Sequence, residues 1–250
     1  MWGEINMSSL ATLSSIFSNS KVVDLTVLLE NGIPRWPSHP HLIIDPTVNH
    51  EHDGYYCQSI SMPEHCGTHV DAPHHVHADL SSLTIEQVKP DALIGTCTVI
   101  DLSDREWKPG ERATLADIQQ ALNKSGVQIE EQDIVLLNFG WLKKYWSKGI
   151  QWKYYATNQP GLAEDVAEYM IQKKIKAFGT DTIAVGTPVN NGKEEYCYFH
   201  QRVLRKEIYL MECLVNLEQL PAKCFFIATP LKIDRGSGSP IRALAFVPQK

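Results

Sequence analysis

Short apolar, β-branched runs alternate with amphipathic stretches along most of the chain. Period-two or continuously apolar runs predict strands at Lys21–Leu29, Ser59–Met62, Gly95–Leu102, Asp133–Phe139, Ala177–Asp181, Ile208–Leu214, Cys224–Pro230 and Ala243–Val247. Helical spacing predicts Ser9–Phe17, Leu83–Val88, Thr114–Leu122, Leu162–Lys174 and Tyr198–Lys206. In the third of these Thr114 is placed as an N-cap ahead of Asp117, and in the fourth Leu162, Val166, Tyr169, Met170 and Lys173 share a face. Gly and Pro make Asn31–Pro40, Thr182–Glu195 and Arg235–Pro240 loops, whereas Trp141–Tyr155 carries no clear period. Strands interleaved with helices, without repeat or linker, give one α/β domain over residues 1–250, with 1–20 as an N-terminal extension.

Composition narrows the partners. A chain of 250 residues that is 43% hydrophobic can bury a full core, and its net charge of −6 offers no basic footprint for nucleic acid. No apolar run reaches the ~18 residues a bilayer crossing requires, and Glu4 stands where a signal peptide would be basic. A soluble, cytoplasmic protein is expected. The six cysteines form no C-x-x-C pair and are expected to be buried free thiols.

The chemistry concentrates in Glu64–His77, EHCGTHVDAPHHVH, which holds five of the ten histidines (His65, His69, His74, His75, His77) together with Asp71. Clustered imidazoles and a carboxylate suit a borderline divalent cation such as Zn2+ or Mn2+. A His-rich surface loop without metal is the plainer alternative, but the density and spacing favour a site. Gly67 lets the backbone turn and Pro73 stops a helix, so His65, His69 and Asp71 are expected to converge from a strand end and a tight turn. A coordinated ion lowers the pKa of its water toward neutrality, and His74, His75 or His77 could then shuttle a proton. Spacing alone does not choose among those three. No G-x-S-x-G, Walker A, G-x-G-x-x-G or HExxH pattern occurs. Cys66, next to His65, is expected to point away from the ligands. Trp36, in its Pro-rigid loop, is either a packing anchor or a flat wall for a planar ligand.

His65-Cys66-Gly67-Thr68-His69-Val70-Asp71-Ala72-Pro73-His74-His75 resembles the H-x-G-T-H-x-D-x-P-x-H signature of the cyclase-like metal-dependent hydrolases, which include bacterial-type kynurenine formamidases and isatin hydrolases. The likeness runs from Asp24-Leu25-Thr26 to Gly236–Pro240. Pro230–Ile233, Gly236–Arg242 and Glu64 look more like the isatin hydrolase branch. The resemblance implies a swivelling β/β/α fold, usually in a homodimer or homotetramer. It also implies a first metal on His65, His69 and Asp71, and a second, where present, bridged by Asp71 to His200 and Glu212. By the same likeness His75 is the catalytic proton donor and acceptor, and Trp36 lines the substrate pocket. The implied activity is hydrolysis of a small aromatic amide, either an isatin-type cyclic amide or N-formylkynurenine. A lactone hydrolase or dehydratase on the same scaffold, and a non-catalytic metal-stabilised binding protein, are the alternatives. Residues 180–191 depart from the D-x-x-S-x-D continuation common in relatives, which leaves the substrate open.

Overall fold

A computed structural model describes residues 7–249. Nine strands form one mixed sheet: β1 (Ser20–Asp24), β2 (His69–Asp71), β3 (Ile94–Asp101), β4 (Ile134–Asn138), β5 (Ala177–Thr180), β6 (Tyr209–Glu212), β7 (Lys223–Ile227), β8 (Gly238–Pro240) and β9 (Leu244–Pro248). Their order is β1-β9-β7-β3-β4-β5-β6-β2-β8. The central strands β3, β4, β5 and β6 run parallel, and antiparallel pairs extend the sheet on either side.

The parallel centre follows from composition. Every residue of β4 and β5 is buried, as expected for strands covered on both faces. Because side chains alternate, Val135 and Leu137 of β4 enter one core while Ile134 and Leu136 enter the other. The first core packs under the helices α2 (Leu115–Ser125), α3 (Glu164–Gln172) and α4 (Tyr198–Leu204), through residues such as Ile118, Val166, Met170 and Phe199. The second unites Val23 of β1, Val70 of β2, Phe226 of β7 and Ala245 of β9, strands far apart in sheet order, so the sheet curls over itself. The expected single α/β domain is what forms. A further helix, α1 (Met7–Ser18), precedes β1. No helix among the described residues is long and apolar enough to cross a membrane.

Local chemistry explains where the elements stop. Thr114 caps α2 as expected, its hydroxyl accepting from the Asp117 N–H while the Asp117 carboxylate accepts from the Thr114 N–H at 2.8 Å; Gly126 ends the helix in the left-handed region. The strand expected over Lys21–Leu29 ends at Asp24, whose carboxylate bonds the Thr26 N–H at 3.1 Å and ion-pairs with Arg242. Leu83–Val88 shrinks to a single 3-10 turn at Ile85–Gln87, since the Ile85 N–H is taken by the Gly236 carbonyl at 2.8 Å. The Arg235–Pro240 loop ends as the edge strand β8. The strand expected at Ser59–Met62 forms over Cys57–Ser61, and it pairs with an unanticipated strand, Ile43–Val48, in which Pro46 accompanies a register shift. All six cysteines are free; Cys57 is exposed, contrary to the expectation of burial, while Cys66, Cys97, Cys213 and Cys224 are buried.

Candidate active site

Strand register assembles the polar cluster. On β2, His69 and Asp71 are two residues apart and therefore share a face; on the neighbouring β6, Glu212 lies directly opposite His69. Helix α4 brings His200 to the same place on its buried side. His65 enters from the approach to β2, and a 3-10 turn over Pro73–His75, held by the His75 N–H bond to the Ala72 carbonyl, carries His75 beside it. The His65 and His75 rings lie 4.0 Å apart between centroids.

The ring nitrogens are sorted by their outer partners. His69 Nδ1 is 2.8 Å from the Gly67 carbonyl and His200 Nδ1 is 2.7 Å from the Val185 carbonyl. A carbonyl can only accept, so each Nδ1 carries the proton and each Nε2 turns inward. His69 Nε2 lies 3.3 Å from Glu212 Oε2 and 3.5 Å from Asp71 Oδ1. His200 Nε2 lies 3.3 Å from Asp71 Oδ2 and 3.4 Å from Glu212 Oε1. His65 Nδ1 is 2.7 Å from Asp71 Oδ1. Glu212 Oε1 also accepts the Val185 N–H at 2.8 Å.

Burial and charge oppose each other throughout. Burial would raise the Asp71 carboxyl, but the surrounding His65, His75 and His200 imidazoles hold it well below the usual carboxylate range. Burial would lower His69, yet the Glu212 and Asp71 carboxylates beside its Nε2 raise it to about 9. Burial dominates at His75 and pushes it down to about 4.

These residues fit a divalent cation. His69 Nε2 and Asp71 Oδ2 are buried without a hydrogen-bond partner, a costly state unless a cation completes them. Among the described residues, two groups could each present three ligand atoms within 4.8 Å of one another: His65 with Asp71 and His75, and His69 with Asp71 and Glu212. Both use Asp71, as a bridging carboxylate would. The grouping differs from the one implied by the sequence: His75 joins His65, and His69 joins Glu212.

The cluster forms one wall of a cavity of about 550 Å³ that is also lined by Trp36, His39, Ile183, Thr187, Tyr196 and Gln201. Of the three histidines left open as a proton shuttle, His75 alone lines this cavity. His77 instead pins the turn to α4, its Nε2–H donating to the Gln201 carbonyl at 2.9 Å while Nδ1 accepts from Arg205. Trp36 is half-buried; it packs against the first core and also lines the cavity. Three participants went unnoticed in the sequence. His39 lines the cavity with its ring 5.8 Å from that of His65. Cys197 caps α4, with Sγ 3.3 Å from His200 Nδ1. Ser237 touches His65 from β8's approach at 2.9 Å. Only Ser237 had a sequence signal, the G-S-G-S run.

Residues 23–187 match the family described as putative cyclase, and the chain belongs to it. Among its relatives, isatin hydrolase from Roseibium aggregatum is 34% identical over 193 residues, spanning 75% of this chain and 73% of that protein. Kynurenine formamidase from Bacillus anthracis is 25% identical over 232 residues, 90% of this chain and 97% of that one. Both names denote hydrolysis of an amide C–N bond. The structure of an isatin hydrolase bound to the product analogue thioisatinate superposes with a TM-score of 0.84 at 29% identity, covering 98% of this chain and 100% of that one.

Proposed function

We propose that this protein is a metal-dependent amidohydrolase that opens or trims a small aryl amide, with an isatin-type cyclic amide or N-formylkynurenine as substrate. The observation that carries the reading is the unpartnered His69 Nε2 between the Asp71 and Glu212 carboxylates, at the floor of an aromatic-lined cavity. His65, His69, Asp71, His200 and Glu212 would hold one or two ions, Zn2+ or Mn2+. Such an ion, when bound, supplies a Lewis acid and makes water acidic enough to ionise near neutral pH.

The remaining work falls to side chains. Trp36 offers its face to the substrate ring and sets the plane in which the amide lies. His75, which burial keeps neutral at physiological pH, takes a proton from the attacking water and returns it to the leaving nitrogen. The 4.0 Å separation of its ring from that of His65 supports an exchange beside the candidate ligands.

Protein stripped with a chelator and reloaded with zinc or manganese should hydrolyse isatin or N-formylkynurenine, and the stripped form should not. Ion uptake without turnover on an aryl-amide and lactone panel would favour the non-catalytic alternative. Failure to take up either ion would remove the basis of the reading.

A further inference from the structure

Behind His65, on the side away from Asp71, the sequence Gly236-Ser237-Gly238 threads between two side chains. Ser237 Oγ lies 2.6 Å from Glu64 Oε2 and 2.9 Å from His65 Nε2, and the Ser237 N–H donates to the same Glu64 oxygen at 2.9 Å. The flanking glycines are obligatory for that approach. A Cβ at Gly238 would stand 2.6 Å from His65 Cε1, and one at Gly236 would stand 2.9 Å from Glu64 Oε1 and 2.6 Å from Ile85 Cγ2. The backbone is fixed on both sides, with the Ser237 carbonyl accepting from Ala72 N–H at 2.9 Å and that of Gly236 from Ile85 N–H at 2.8 Å. The hydroxyl therefore arrives at a set place rather than sampling rotamers against solvent.

A serine hydroxyl has one proton. Facing a carboxylate at 2.6 Å it donates that proton to Glu64, and toward His65 it can then only accept. His65 Nε2 must in consequence carry a proton, which leaves Nδ1 as the nitrogen turned to Asp71. We propose that Glu64 and Ser237 are positioning residues that hold His65 as its Nε2–H tautomer, so that His65 meets the cation through Nδ1. His69 and His200 have the opposite arrangement, protonated on Nδ1 by backbone carbonyls and presenting Nε2. The inference rests on the metal-site reading above and adds to it which atom of His65 serves and what selects it. Outer partners of this kind typically contribute roughly 10- to 100-fold in metal affinity.

The experiment uses the full chain labelled with 15N at histidine. Zinc affinity is measured by chelator competition for wild type, Ser237→Ala, Ser237→Thr, Glu64→Gln and His69→Ala, and ring-nitrogen shifts are read by NMR on the zinc-loaded samples. Wild type should show His65 protonated at Nε2. Ser237→Ala should lose that signature and bind zinc roughly 10- to 100-fold more weakly, and Ser237→Thr, which keeps a hydroxyl, should recover both. If Ser237→Ala proves unfolded, Glu64→Gln carries the test, with the same signature weakened. Wild-type affinity and an unchanged Nε2–H signal in Ser237→Ala, or in Glu64→Gln where that variant carries the test, overturn the relay while leaving the metal site standing, provided His69→Ala loses zinc. No zinc uptake by wild type overturns the metal-site reading and this inference together.

Discussion

Removing the metal should make the protein's stability fall steeply with pH, because imidazolium protons then stand where cations belong. In the metal-free protein His69 is held at about 9 against an ordinary 6.5, although burial acts the other way. A base whose folded-state pKa is raised adds stability that is complete below the unfolded value and lost as pH climbs through the folded one. The window is therefore pH 6.5 to 9. At ~1.4 kcal/mol per pH unit, His69 alone accounts for about 3 kcal/mol across that window. For a chain of this size that corresponds to a fall in melting temperature of roughly 6–12 °C. His200 is also raised well above its ordinary value and pushes the same way. It shares Asp71 and Glu212 with His69, so the two contributions do not add. The Cys66 thiol, pushed up to about 11 by burial, adds its own loss only above pH 9. The assay is thermal denaturation of chelator-dialysed protein at half-unit pH steps, with His69→Gln as the control that should flatten the slope. Reloading with zinc should abolish or reverse it, since the ion competes with those protons. A metal-free melting temperature that stays level or rises from pH 6.5 to 9 would refute the account of how the cluster is held.

Other outcomes follow from individual contacts. His75→Ala should abolish hydrolysis while metal content stays at the wild-type level; loss of the ion instead would make His75 a ligand, as its grouping with His65 and Asp71 permits. Trp36→Ala should lower kcat/KM on aryl substrates about 2- to 10-fold with metal content unchanged, the worth of one aromatic contact; steady-state kinetics against an aliphatic amide would show whether the ring matters. Asp181→Asn should cost about 1–3 kcal/mol by urea denaturation. Its two oxygens accept the Phe139 and Leu142 N–H groups at 2.9 and 3.1 Å, and an amide can serve only one. Gly179→Ala should destabilise by about 1–3 kcal/mol through overpacking, since the new methyl would stand 2.6 Å from Leu214 Cδ1 and 2.9 Å from Leu136 Cδ2.

Much of this protein was legible in one dimension because its causes are local. Period and β-branching marked the buried strands at 134–138 and 177–180, and Thr114 with Asp117 marked a helix start, whereas the strand that puts His69 and Asp71 on one face came only with the structure. The density of histidines between 64 and 77 pointed to a candidate cation site, since groups close in sequence need little of the fold to meet. His200 and Glu212 were reached only through resemblance to a family; by period alone each reads as an ordinary helix or strand residue. What tertiary structure decided were matters of register and approach. The pairing of β6 with β2 sets Glu212 against His69, the docking of α4 aims His200 rather than its neighbours, and His75 is separated from His74 and His77 by which ring faces the cavity. Ser237 lies 172 residues from His65 and touches it because β8 pairs with β2, so no local pattern could have joined them. Periodicity is a property of one segment, whereas a hydrogen bond between distant segments depends on how the whole chain closes its core.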